Sequence, residues 1–385
     1  MRANLVSKGL GWCLVVTLVL TALLSCGGGD QEPIRIGVQG PITGEWALEG
    51  IGFRNAVTLL AEQINQEGGL LGGRQITIVE GDDRGDPDEA GRVAERLVSE
   101  GVVAVVGAYN SDATRAAAPI YDQAGVLHIT PSSTATNLTE PGYTRFMRVC
   151  FLDDRQGLFA AELMAKDLGL EKVALVHDDS MYAKGLAEWT QRYLEEMGAT
   201  VVHVGTIAPG QRDFGQVIQA LQEKGAEAVY FTAYWREAGL LVKQMEAVGL
   251  EQVQFVAGNA VNNPEFIQIA GVKAAVGVLI TTEPLPQDLT SPEAVSFMAD
   301  YEARYGVSPQ SIWTLMAADA FRLIVHAIEE TGSTDPAALA DYLHDLAGYP
   351  GITGTIQGFD EKGDRLGAGH VVYRVNDDGA FVLYR

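Results

Sequence analysis

A chain of 385 residues is long enough for two domains, and a hydrophobic content of 47% is ample for packed cores. Its 27 basic residues against 50 acidic ones, a net charge of −23, argue against nucleic acid and against anionic membrane surfaces as partners. The acidic residues are scattered, as expected of a solvated surface.

The N-terminus reads as a leader rather than as part of the fold. Arg2 and Lys8 form a basic region, and residues 10–24 are almost wholly apolar. That run is too short for a comfortable membrane helix and fits a secretory segment. It ends at Leu23-Leu24-Ser25-Cys26, followed by Gly27-Gly28-Gly29, which resembles a bacterial lipobox. The resemblance implies a lipoprotein signal peptide over 1–25, cleavage before Cys26, lipidation of its thiol, and a flexible tether over 26–33. Residues 1–25 hold two basic and no acidic residues, so the mature charge moves from −23 to −25. Cys13 leaves with the leader and Cys26 carries lipid. Cys150 is then alone, a small core residue with no intramolecular disulfide to make.

The first strand covers 34–38. It runs through the turn-rich loop Gly40-Pro41-Ile42-Thr43-Gly44-Glu45-Trp46 into a long helix over 48–66, and the second strand covers 75–80. In Asp82-Asp83-Arg84-Gly85-Asp86-Pro87, Pro87 suits the first position of a helix over 88–99, and Asp86 suits its cap. These acids lack the alternate-ligand spacing and terminal Glu of a calcium loop, so no metal is expected there. An apolar, β-branched run at 102–106 stops at Gly107. Next come the polar segment Ala108-Tyr109-Asn110-Ser111-Asp112 and a small-residue helix over 113–124. A strand at 126–129 opens onto Thr130-Pro131-Ser132-Ser133-Thr134, and another strand covers 145–149.

Strand–helix alternation then continues. Strands are expected at 172–177, 201–206, 228–231, 254–257 and 275–280, and helices at 182–197, 214–223, 237–248 and 264–270. Such βα repetition builds parallel sheets through right-handed crossovers. The strands exceed one comfortable sheet, and breaks fall near 151–155 and 281–289. Helices over 292–305, 311–330 and 336–347 are expected to pack back on the first lobe. Closing strands lie within 348–359 and 369–384.

No catalytic constellation is present. The sequence lacks Gly-x-Ser-x-Gly, Gly-x4-Gly-Lys, His-Glu-x-x-His and a strand-borne Gly-x-Gly-x-x-Gly, and its histidines are isolated. Recognition chemistry recurs at strand ends instead. Two consecutive strands end in hydroxyl-bearing segments, at Ser111 and at Ser133-Thr134. In an open parallel sheet these lie where ligands bind. Helix-start N–H groups beside a hydroxyl suit a carboxylate, although the same residues also serve as ordinary caps. Trp46, Tyr109, Tyr182, Tyr234 and Asn259 follow other strands, and aromatics with one polar handle suit a cleft wall.

The chain resembles the periplasmic leucine/isoleucine/valine-binding proteins, the substrate-binding components of branched-chain amino acid ABC importers. The likeness covers about residues 34–385. It rests on Ile36-Gly37-Val38 with Gly40-Pro41-Ile42-Thr43-Gly44, on Asp82-Asp83 with Asp86-Pro87, on Val105-Val106-Gly107 and Ile129-Thr130-Pro131, and on His177-Asp178 with Tyr182 and Gly185. Asp213-Phe214, Ala247-Val248-Gly249-Leu250 and Phe359-Asp360-Glu361-Lys362-Gly363-Asp364 complete it. It implies a type I periplasmic-binding fold: α/β, with two Rossmann-like lobes whose parallel sheets are flanked by helices, joined by three hinge crossovers. Lobe 1 would be 34–152 plus 282–368, and lobe 2 would be 153–281 plus 369–385.

By the same resemblance the ligand carboxylate is held by Ser111 (hydroxyl), Ser133 (backbone) and Thr134 (hydroxyl and N–H). Tyr182 and Tyr234 close over it, with Asn110, Tyr109 and Trp46 nearby. Where the family has a Glu that pairs with the ligand ammonium, this chain has Asn259. Asp178, Asp179, Glu237 and Asp319 are the acids weighed as replacements, and Arg236 adds a positive charge. The implied role is a monomeric, non-enzymatic, extracytoplasmic receptor that needs no cofactor. It would capture a branched-chain or related amino acid, deliver it to an ABC permease and ATPase complex, and touch the membrane only through the Cys26 anchor. The alternative is a sensory receptor for an amide or aromatic carboxylate, acting with a separate signalling partner.

Overall fold

A computed structural model describes residues 32–367 and 369–385. The leader, Cys26 and most of the tether lie outside the described residues. Five parallel strands form one sheet: β1 (Ile34–Gly40), β2 (Ile76–Asp82), β3 (Ala104–Val106), β4 (Leu127–Thr130) and β5 (Phe146–Arg148), in the order β2-β1-β3-β4-β5. The second sheet has seven strands: β6 (Lys172–His177), β7 (Thr200–Thr206), β8 (Ala228–Phe231), β9 (Gln254–Ala257), β10 (Leu279–Thr282), β13 (Val371–Val375) and β14 (Phe381–Leu383). A separate hairpin pairs β11 (Tyr349–Gly351) with β12 (Gly354–Ile356).

The second sheet runs β7-β6-β8-β9-β10, the strand order of the first, and then adds β13 and β14 antiparallel. Each lobe therefore repeats a doubly wound unit whose carboxyl strand ends form a ligand-binding edge. β3, β4, β5 and β8 are buried along their whole length, as strands covered on both faces must be.

Twelve helices cover the sheets among the described residues. They are α1 (Ala47–Gln66), α2 (Pro87–Ser99), α3 (Ser111–Ala124), α4 (Asp153–Glu162), α5 (Met181–Glu196), α6 (Gly215–Lys224), α7 (Trp235–Ala247), α8 (Pro264–Ala270), α9 (Val272–Ala275), α10 (Pro292–Tyr305), α11 (Ile312–Thr331) and α12 (Pro336–His344). α11 is apolar almost all round and is correspondingly buried. It packs on α1 and touches β3 and β4, so the late helices do cover the first sheet. Asp86 caps α2 as expected, accepting from the Glu89 N–H at 2.8 Å.

Two expectations are corrected, and one helix was not expected: α4, which opens at the 151–155 break and continues as a π-helical turn over Leu163–Asp167. The strand expected at 275–280 is β10 at Leu279–Thr282, preceded by the short α9 and by Gly277 at φ 85°, a turn conformation that ends any strand. The 348–359 segment supplies the small hairpin rather than strands of either main sheet.

The chain passes between the sheets three times: from β5 to α4, from β10 to α10, and from the hairpin region to β13. The first lobe is braced close to these crossings. The Arg148 guanidinium, fully buried, pairs with Asp364 at 2.5 Å. It also donates at 2.9 Å to the carbonyls of Ser133 and Ala135, and at 3.3 Å to the Thr139 hydroxyl. Thr139 in turn donates to Asp364 at 3.0 Å. The segment after β4 is thus held by an ion pair whose acid comes from far along the chain.

Candidate functional site

The strand ends of the two sheets face each other across a small cavity of about 20 Å³. Tyr109, Ser111, Ser132, Thr134 and Trp313 line one side. Tyr182, Tyr234, Asn259 and Ala260 line the other. The first wall follows from β3 and β4. Gly107, at φ 139°, sits so close to the Gln39 carbonyl that a Cβ would approach it to 2.1 Å, and the chain turns sharply there. Asn110 occupies the N-cap position of α3 without capping it, its Oδ1 being unpartnered among the described residues, and its Nδ2 donates to the Tyr234 hydroxyl at 3.1 Å. The first turn of α3 therefore keeps N–H groups without a side-chain cap, and Ser111 stands beside them.

Below this wall the polar groups are consumed internally. Thr130 donates to the Ala108 carbonyl at 2.9 Å, and Ser132 donates to the Tyr109 carbonyl at 3.0 Å. The Thr134 hydroxyl, by contrast, is buried with no hydrogen-bond partner among the described residues. Ser133 is bonded internally: its hydroxyl bonds Thr114 at 2.7 Å, its N–H donates to Thr130 at 3.1 Å, and its carbonyl accepts from Arg148. Ser132 lines the cavity and Ser133 does not.

The opposite wall hangs on fewer bonds. Tyr182 donates to Asn259 Oδ1 at 2.8 Å and accepts from the Ala260 N–H at 3.3 Å. Gly258 makes room for this: a Cβ there would stand 2.7 Å from the Tyr182 hydroxyl and 2.9 Å from Leu186. Tyr234 packs against Tyr182 at 5.8 Å and against Trp46 at 5.5 Å between ring centroids. Burial pushes the Tyr109, Tyr182 and Tyr234 phenols upward, so all three stay protonated. Trp46 and Asn110 stand outside the cavity lining. They join the walls by ring contact and hydrogen bond, alongside the Met181 N–H, which donates to Asp112 at 2.9 Å.

None of the four acids weighed against the missing glutamate lines the cavity. Asp178 accepts from the Ser180 N–H at 3.0 Å and Glu237 from the Gly210 N–H at 2.8 Å. Asp319 accepts from the Ile352 and Thr353 N–H groups, and Asp179 is exposed near His177 and Lys184. Two acids that sequence reasoning passed over stand at the crossings instead. Asp153 is buried beside the Thr134 hydroxyl, and burial pushes its carboxyl up to about 7. Glu283 is buried behind Asn259, and burial likewise pushes it up to about 7. At the far side of the first wall Glu49 is also raised to about 7 by burial. Arg236 stays at the rim, 3.6 Å from both Glu45 and Glu265.

Two lobes clasping a small cavity lined by hydroxyls, phenols and an amide define a clamshell solute-binding protein. A family model described as periplasmic binding protein matches residues 33–380. The chain is 31% identical to a Leu/Ile/Val-binding protein homolog of Brucella abortus, over 93% of this chain and 94% of the relative. It is 35% identical to the leucine-, isoleucine-, valine-, threonine- and alanine-binding protein of Pseudomonas aeruginosa, over 90% and 91%. The crystal structure of the branched-chain amino acid transporter substrate-binding protein LivJ of Streptococcus pneumoniae, in complex with isoleucine, superposes with a TM-score of 0.82. It is 28% identical and covers 92% of this chain and 99% of that one. The chain belongs to the periplasmic binding protein family, among relatives named for branched-chain amino acids.

Proposed function

We propose that this protein captures an aliphatic α-amino acid of the leucine, isoleucine and valine class in the interlobe cleft and delivers it to an ABC permease and ATPase complex. The observation that carries this reading is the first wall, where the Ser111 hydroxyl, the buried, unpartnered Thr134 hydroxyl and the uncapped start of α3 converge on one cavity. Such a set of donors suits a carboxylate. Tyr182 and Tyr234 close over the ligand from the other lobe, while Tyr109 and Trp313 supply apolar surface to its side chain. Lobe 1 spans 34–152 with 282–368, lobe 2 spans 153–281 with 369–385, and the crossings between them act as the hinge. Cys26, after the apolar run of the leader, carries the lipid that holds the receptor at the cell envelope.

The test is calorimetric titration with a panel of amino acids, their amides and aromatic carboxylates. One molecule of leucine, isoleucine or valine bound per chain, without turnover, is the expected result. A folded protein that binds an amide or an aromatic acid and no amino acid refutes the reading.

A further inference from the structure

The charge absent at Asn259 lies one residue deeper. Glu283 follows β10 at the second crossing and is fully buried. Its Oε2 accepts from Asn259 Nδ2 at 3.3 Å and from the Thr282 hydroxyl at 3.4 Å. Asn259 is itself buried and lines the cavity, with its Oδ1 bonded to Tyr182. A carboxylate accepts and does not donate, so an ionised Glu283 fixes which end of the amide faces it. The nitrogen must point back to Glu283, and the oxygen must point forward.

We propose that Glu283 is the specificity-determining acid of the cleft and acts through Asn259. It turns the amide oxygen toward the ligand as an acceptor, and it sets a negative charge behind that oxygen for which the ligand's ammonium group is the counterion. This rests on the reading that the cleft takes an α-amino acid.

The surroundings of Glu283 leave that role open. Its Oε1 has no hydrogen-bond partner among the described residues. His370, from the third crossing, approaches only to 3.8 Å, and burial lowers its pKa to about 4, so it stands neutral. Arg365 favours the charged form from further off, while its guanidinium bonds the Val149 carbonyl and Thr353. Cys150 and Asp153, from the first crossing, also lie near Glu283, and a thiol and a carboxyl are neutral or anionic, so neither supplies a cation. Burial raises Glu283 to about 7, so its protonated form is present near neutral pH. An ammonium placed before Asn259 favours the carboxylate, and the proton leaves to the buffer.

The experiment compares the parent with Glu283→Gln and Asp153→Asn. Each is titrated with leucine and with its deamino analogue 4-methylpentanoate, in buffers of different ionisation enthalpy. At pH 7 the parent is expected to release a larger fraction of a proton on binding leucine than on binding 4-methylpentanoate. Glu283→Gln is expected to abolish that excess and to lower the preference for leucine over 4-methylpentanoate by about ten-fold or more. A purely structural role would weaken both ligands together and leave the preference unchanged, which overturns the proposal. So does an excess that persists in Glu283→Gln and vanishes in Asp153→Asn. A parent that releases no more proton with leucine than with 4-methylpentanoate overturns the relay alone. A folded parent that binds no amino acid overturns both the relay and the reading beneath it.

Discussion

The two walls of the cleft spend their buried polar groups differently. On the first, Thr114, Thr130, Ser133, Arg148 and Asp364 satisfy one another, and the groups left facing the cavity are few and fixed. On the second, Tyr182, Tyr234 and Asn259 are joined mainly by single hydrogen bonds and ring contacts, with an incompletely paired acid behind them. A wall built from closed networks presents constant chemistry and suits the part every amino acid shares. A wall of sparse contacts can be retuned by one substitution, and Asn259 is the residue of that wall whose exchange would change its charge.

The largest expected effect breaks the first wall. Arg148→Met leaves Asp364 buried without its partner and frees the carbonyls of Ser133 and Ala135. Chemical denaturation should show a loss of about 3–5 kcal/mol; a loss under about 1 kcal/mol would mean that the network does not brace this wall.

The second prediction concerns the acid at the edge of the cleft. Asp153 has its folded pKa raised from the ordinary carboxylate range to about 7. Between those values the folded state holds a proton that the unfolded chain has given up. Stability is therefore highest below the unfolded pKa and falls as pH rises toward 7. Ligand-free Asp153→Asn should lose up to about 1 kcal/mol of that fall per pH unit between pH 5 and 7, read from urea midpoints. An unchanged slope would show that Asp153 does not hold its proton in the folded protein over that range.

The third effect sharpens the contrast. Ser111→Ala and Thr134→Ala should each weaken leucine binding by about 1–3 kcal/mol, and 4-methylpentanoate by the same amount, since both carry the carboxylate. If either variant alters the preference between the two ligands, the division of labour between the walls is wrong.

Much of the first wall was legible in the sequence. Strands that stop at glycine and run into hydroxyl-bearing segments announce their own ends, and Ser111 and Thr134 stand at the cavity. The alternation of strands and helices followed from short apolar runs and helical periods, whereas the repeated strand order is set by pairings distant in the chain. What stayed hidden depends on distant contacts. Ser133 and Ser132 are indistinguishable as letters, and only the position of Arg148 decides which of them faces inward. Glu283 sits in a stretch where Pro284 and Pro286 signal a turn, and nothing local ties it to Asn259, 24 residues earlier. Asp153 was hidden because the start of α4 read as a break.

The arrangement of the chain also governs how the protein can be made. Every strand of the first sheet precedes residue 149, yet α11, which covers that sheet, ends at Thr331. The second sheet has its parallel strands by Thr282 and receives β13 and β14 only from the last residues. A chain made only to residue 300 therefore has a first sheet without α11, a second sheet without its antiparallel strands, and no finished lobe. Such a precursor stays open to chaperones and to passage across a membrane, and a product cut short at that point is an aggregation hazard rather than half a receptor.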